Sequence, residues 1–360
     1  MGSAIIGHEA VLREVRNLAL GPEPAHALLI TGPESTGRML VAREYAALLN
    51  CEARPGGGAA GGRLFDAQAA EAGELPCGVC RPCRLITEGS HPDVVVLGPG
   101  DALCKPRGSD SSHEKHPNSR DIRICQVRGM IDVVSRYPYE ARFRVIIVSP
   151  ADRLGEEAAH TMLKTLEEPP AHTAIILITA APEAVLETIR SRCRRIDLRT
   201  VSRAEIERGL LARGVQAEVA AAAASASRGR PGKAISFAAQ PDLIGDRERL
   251  LTRFARIADE RTAERRRYAG ELHDRWGRDR AQVHAELDLW EAFWEGQLRA
   301  AAGVEGGGVA EALAALRAIS WTREALLANV QPRPALDLML LSFPRTTLVG
   351  APEDAAATHA

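Results

Sequence analysis

RVIIVSPADRLGEEAAHTMLKTLEEPPAHTAIILITAAPEAVLETIRSRCR, Arg144 to Arg194, decides the fold. Two β-branched runs, Val145–Val148 and Ile175–Thr179, have the continuous apolar character of strands buried on both faces. Between them Glu156–Leu166 places Ala159, Met162, Leu163 and Leu166 at helical spacing, and Pro169-Pro170 ends the helix. Strand, helix and strand in that order predict one crossover of a parallel α/β sheet. The next segment, Ala184–Ile189, is expected as a helix leading into Ser191-Arg192-Cys193, with a last strand at Ile196–Leu198.

Upstream, the strand Ala27–Thr31 runs into Gly32-Pro33-Glu34-Ser35-Thr36-Gly37-Arg38-Met39 and then a helix from Leu40 to Leu49. Strand, glycine loop and helix are the context of a phosphate-binding loop, and the Gly-x-x-x-x-Gly spacing is kept. The chemistry is not. Arg38 stands where a compact lysine ammonium contacts phosphate, and Met39 where a hydroxyl ligates Mg²⁺. A nucleotide-hydrolysing enzyme also needs acids at the end of a neighbouring strand, for the metal and the attacking water. Here Val148 is followed by Ser149, Pro150 and Ala151. Backbone N–H groups of the loop can still bind an anion, but both sets of metal ligands are missing.

Cys51 closes the helix after this loop, and Cys77-Gly78-Val79-Cys80-Arg81-Pro82-Cys83 packs three more thiols at two-residue gaps. Four thiolates close a tetrahedral structural zinc site and leave no position for water. The glycine-rich insertion Pro55–Gly62 lengthens the loop between the first and second ligand at small entropic cost.

Met162-Leu163-Lys164-Thr165-Leu166-Glu167-Glu168-Pro169-Pro170 and Ser191-Arg192-Cys193 resemble the AAA+ clamp-loader subunits of bacterial DNA polymerase III. Leu49-Asn50-Cys51 and Cys77–Cys83 resemble the zinc module of that family. The resemblance covers about residues 1–240 by motif and the remainder by helical pattern only. It implies an AAA+ P-loop parallel-sheet domain over residues 1–199, with the structural zinc module at 51–83. A small helical lid domain follows over 200–242, then an all-helical collar over 243–345, through which five subunits close a ring, and a tail over 346–360.

The resemblance also assigns roles. Gly7-His8-Glu9 corresponds to the region near the adenine pocket, and Thr179 to the sensor position of a degenerate nucleotide site formed with Gly32, Gly37, Arg38 and Met39. The lid arginine that touches the γ-phosphate in active members is replaced by Gly232, with Lys233 only a neighbour. Arg192, between Ser191 and Cys193, corresponds to an arginine finger that acts on a neighbouring subunit's ATP. A motor branch (tau/gamma) keeps Asp-Glu after the strand; the non-hydrolysing, stator branch loses it, as Ser149-Pro150 does here. Expected partners are therefore the tau/gamma ATPase and delta subunits, with the sliding clamp and primer-template DNA reached through the assembled complex. The expected cofactor is a structural Zn²⁺; ATP is bound weakly or not at all and is not hydrolysed. No ATPase or polymerase activity of its own is expected, the chain being a non-catalytic subunit of a polymerase holoenzyme.

The rest of the chain agrees with this. Val11, Leu12, Val15, Leu18 and Ala19 line one face of an opening helix within Ile6–Leu20. His91-Pro92-Asp93 forms a turn before strand Val94–Leu97 rather than a metal site, and Gly98–Arg120, with His113 and His116, is a polar loop. Val127, Met130, Ile131 and Val134 share a helical face after Asp121-Ile122-Arg123. Helices are expected at Ser202–Leu211 and Ala217–Ser227, with a third after Pro231. Beyond Leu243 three stripes recur: Leu250, Phe254 and Ile257; Leu287, Trp290, Trp294 and Leu298; and Leu313, Leu316 and Ile319, the last two separated by a loop at Gly303–Gly308. Arginines interleaved with acids over Arg247–Arg280 read as a solvated helix face. Ala351–Ala360 reads as a frayed end.

With 46 Lys and Arg against 47 Asp and Glu in 360 residues, no global field attracts nucleic acid or membrane. That balance and 4% aromatics oppose a stand-alone zinc-ribbon nucleic-acid binder. The competing tau/gamma-type motor is opposed by positions 38, 39, 149, 150 and 232 together. Without an apolar membrane span or signal peptide, a cytoplasmic location is expected, where 7 cysteines are thiols or ligands rather than disulfides.

Overall fold

A computed structural model of the chain describes residues 5–54, 75–101, 103–104, 116, 119–302, 308–327 and 330–344. The insertion at 55–62, His113, most of the 303–308 loop and the 346–360 tail lie outside the described residues. Two compact units divide after Ala239.

The first unit is built on five parallel strands, β1 (Ala27–Thr31), β2 (Val94–Leu97), β3 (Arg144–Val148), β4 (Thr173–Thr179) and β5 (Arg194–Asp197). Their order in the sheet is β2-β3-β4-β1-β5. Alternation along each strand splits the core into two layers. Leu28, Ile30, Val145, Ile147, Ile176 and Ile178 face α1 (Glu9–Leu20), α2 (Arg38–Asn50) and α3 (Arg81–Glu88). Leu29, Ile146, Val148, Ile175 and Leu177 face α4 (Ile124–Val134), α5 (Glu156–Glu167) and α6 (Glu187–Arg190). The crossover expected from β3 through α5 to β4 is present, with β3 and β4 paired in parallel from Arg144↔Thr173.

Two local expectations need correction. Ala184–Ile189 is not one helix: a single turn at Pro182–Ala184 is separated by Val185 and Leu186 from the four residues of α6. Its spacing lacks the length that propagation requires. The Cys77–Cys83 stretch carries a helix that the thiol spacing concealed, since α3 begins at Arg81 with Pro82 in its first turn.

Asp93 and Arg144 hold the sheet's N-terminal edge. The buried Asp93 carboxylate accepts from the Tyr139, Glu140 and Ala141 amides at 2.7, 2.8 and 3.0 Å and from Arg144 Nη2 at 2.7 Å. Arg144 donates onward to the Arg136 and Tyr137 carbonyls at 3.0 Å each. Three helices complete this unit: α7 (Arg203–Leu211), started by a Ser202/Glu205 capping box, α8 (Ala217–Ser227) and α9 (Pro231–Ala239).

The second unit contains α10 (Asp242–Asp259), α11 (Thr262–Arg278), α12 (Arg280–Ala301), α13 (Val309–Leu327) and α14 (Pro332–Ser342). Phe254 stacks on Trp290 at 3.9 Å between ring centroids, with Trp294 and Phe343 around them. The first two apolar stripes enter this core. The third holds in part: Ile319 is buried and Leu316 packs against the core, but Leu313 is exposed and Ala312 and Ala315 are buried instead. Arg265 also departs from the solvated-face expectation; it is buried and donates to the carbonyls of Leu340, Phe343 and Ala258, ends of helices that lack internal partners.

Candidate functional site

Gly32 to Arg38 forms a loop at the C-terminal end of β1, and α2 starts at Arg38. Gly32 has φ +141°, and a Cβ there would sit 2.4 Å from the Leu198 carbonyl oxygen, so only glycine fits. The loop is laced to its surroundings through carbonyls. His8 Nε2 lies 3.1 Å from the Thr36 carbonyl oxygen, and burial lowers the pKa of this histidine. The Gly232 amide, at the start of α9, donates to the Ser35 carbonyl at 2.8 Å. A Cβ at Gly232 would meet that oxygen at 3.0 Å, so a longer side chain could enter only if the loop shifted.

Met39 packs against the core layer that contains Val41 and Tyr45. Arg38 is half-buried; desolvation lowers its pKa, opposed by the carboxylates of Glu34 and Asp152. Asp152 was not singled out by sequence, because it falls four residues past Val148. A single turn at Ala151–Arg153 folds it back, and its Oδ1 accepts from Thr179 Oγ1 at 2.5 Å. Asp152 is therefore hydrogen-bonded to the Thr179 hydroxyl and close enough to Arg38 to act on its charge. Ser149 and Pro150 bring no carboxylate.

Cys51 caps the end of α2, Cys80 caps the start of α3, and Cys83 lies in its first turn. The Sγ atoms of Cys51, Cys77, Cys80 and Cys83 all lie within 4.8 Å of one another. Thiolates bound tetrahedrally at ~2.3 Å from zinc stand about 3.8 Å apart, so the cluster fits such an ion. Amides already point at sulfur, Cys77 N to Cys51 Sγ and Cys80 N to Cys77 Sγ, each at 3.4 Å. A bond from the Cys83 thiol holds Cys51 down at about 5 against the effect of burial, while the same bond and burial push Cys83 up. His91 is not part of the cluster: it is buried, and its Nδ1 accepts from the Asp93 amide at 3.1 Å.

Arg192 lies just past α6, half-exposed, at the N-terminal end of β5. Its Nε and Nη2 reach Glu167 Oε1 at 2.7 and 2.5 Å, and Nη1 donates to the Thr188 carbonyl at 2.8 Å. Arg194 pairs with Glu14 at 3.0 Å and Arg195 with Asp197 at 2.7 Å. Cys193 is partly buried against the core below, and burial pushes its thiol up to about 12. The structure thus separates the P-loop region, at the C-terminal strand ends, from Arg192.

The sequence model of the family described as DNA polymerase III, delta subunit matches residues 7–202, more than half of the chain. The chain belongs to this clamp-loader AAA+ family. Among proteins similar to it, DNA polymerase III subunit delta' of Pseudomonas aeruginosa is 32% identical over 169 residues, 47% of this chain and 42% of that protein. DNA polymerase III subunit tau of Bacillus subtilis is 31% identical over 198 residues, 55% of this chain and 29% of that protein. Subunit delta' of Escherichia coli is 37% identical over 122 residues, 34% of this chain and 32% of that protein. The aligned part spans less than half the length of each of these relatives. Among the described residues, no helix is long and apolar enough to cross a membrane.

Proposed function

We propose that this clamp-loader family member is a non-hydrolysing subunit of the delta' type, which braces the assembly and completes the ATP site of a neighbouring tau/gamma ATPase. Relatives named delta' and relatives named tau both align with it, so the choice rests on chemistry at the site. The observation that supports the reading is the packing of Met39 against the apolar core at the position where the resemblance calls for a metal-ligating hydroxyl, together with Ser149 and Pro150 after β3 in place of acids. Phosphoryl transfer depends on a metal ion and charges fixed around the γ-phosphate. Here Asp152 is hydrogen-bonded to Thr179 and close enough to Arg38 to act on its charge, and the lid presents Gly232 packed on Ser35.

In this reading Arg192 brings a fixed positive charge to a partner's γ-phosphate, where fingers of this kind are worth roughly 10³–10⁵ in rate. The partners are tau/gamma and delta subunits, and the sliding clamp and primer-template DNA are reached through the assembly. Zinc held by Cys51, Cys77, Cys80 and Cys83 supplies a structural cross-link. The four cysteines tie the end of α2 to the start of α3 and leave no ligand position for a substrate.

The test is Arg192→Ala in the reconstituted clamp loader. Assembly and metal content are retained, while DNA-stimulated ATP hydrolysis and clamp loading fall through the one site that this chain borders. Loading at the wild-type rate rejects the finger. ATP turnover by the purified wild-type chain alone rejects the non-hydrolysing reading in favour of a motor.

A further inference from the structure

We propose that Glu167 is the positioning residue for Arg192, an inference that rests on the finger reading above. Glu167 is the last residue of α5, where Pro169-Pro170 stops the helix 25 positions before the arginine. Its Oε1 accepts from Nε and lies 2.5 Å from Nη2 as an ion-pair contact, and the Thr188 carbonyl accepts from Nη1. A guanidinium has five N–H donors. Two are committed to hydrogen bonds within the chain, which leaves one on Nη1 and two on Nη2, beside the Glu167 carboxylate, for an incoming anion. Held from two sides, the planar group is fixed in orientation before a partner arrives, and such preorganisation lowers the entropic cost of the contact.

The alternative, that Glu167 is a competitor that keeps the finger from phosphate, predicts the opposite sign. A side-on grip on a single carboxylate oxygen leaves the outer donors available, which favours positioning. Both side chains are partly exposed, at 36% and 48%, so solvent screens the pair and its contribution is modest.

The test uses the assembled clamp loader with wild type, Arg192→Ala, Glu167→Ala, Glu167→Gln and the double variant, measuring DNA-stimulated ATP hydrolysis against ATP concentration. Glu167→Ala lowers the Arg192-dependent part of kcat by about three- to fivefold, the range an exposed pair can supply, with KM for ATP unchanged. Glu167→Gln, which keeps an oxygen acceptor, recovers part of that loss. The double variant matches Arg192→Ala, because without the arginine there is nothing to position. Glu167→Ala at or above the wild-type rate, or a double variant slower than Arg192→Ala, overturns the positioning role and leaves the finger standing. If Arg192→Ala itself is indistinguishable from wild type, the finger and its positioning residue fall together.

Discussion

Asp93→Asn is the most informative perturbation of the first unit. The carboxylate is fully buried and accepts from three consecutive amides and from two nitrogens of Arg144, a residue itself only 7% exposed. Burial raises its pKa, but the amides and Arg144 outweigh burial and hold it at about 2 rather than 3.8. A depression of that size corresponds to on the order of 2 kcal/mol of stability. Asparagine does more than remove a titratable charge, because its NH₂ faces N–H donors and the Arg144 cation is left buried without a counterion. Breaking a buried pair in this way costs about 3–5 kcal/mol, a large part of a typical stability of roughly 5–15 kcal/mol. The sign with pH follows from the depressed pKa: the carboxylate contribution is complete above 3.8 and is lost as pH falls towards 2. The difference between wild type and variant therefore narrows over that window. The assay can separate the units, since all 4 tryptophans (Trp276, Trp290, Trp294 and Trp321) lie in the second. In urea, the far-UV circular dichroism transition of the sheet-containing unit moves to lower concentration in Asp93→Asn, while the tryptophan fluorescence transition stays in place. A loss under about 1 kcal/mol, or an equal shift of the fluorescence transition, would refute the reasoning.

Protein purified without chelator carries about one zinc per chain with sulfur ligands near 2.3 Å by X-ray absorption; absence of metal rejects the Cys51, Cys77, Cys80, Cys83 assignment. Cys80→Ser loosens the first unit, seen as faster proteolysis, without abolishing a chemical step. The isolated chain shows no ATPase activity above background, and Arg38→Lys alone does not revive it because Met39, Ser149, Pro150 and Gly232 remain; turnover by that single variant in a coupled assay would show that the other losses do not matter.

Much of the fold was legible in the chain because it is carried by local pattern. The β-branched runs at Val145–Val148 and Ile175–Thr179 needed only their apolar continuity, and the Gly32–Gly37 loop only its place between strand and helix. The departures proposed to disable nucleotide chemistry, at Arg38, Met39, Ser149 and Pro150, concern the functional groups of single residues and can be read one residue at a time. The four cysteines were legible as a set because thiols clustered at two-residue gaps have few other uses. What the tertiary structure alone decided are partnerships between groups far apart in sequence. Asp152 returns to Thr179 across 27 positions, Arg192 meets Glu167 across 25, and the Gly232 amide meets the Ser35 carbonyl from almost 200 positions away. Arg265 reads as surface until the ends of α10 and α14 supply carbonyls for it, and Leu313 reads as core until the packing of α13 turns Ala312 and Ala315 inward. Helical and strand periods specify which face of an element is apolar. They carry no information about which distant carboxylate or carbonyl the folded chain brings within 3 Å of a given donor, because that depends on how the elements pack.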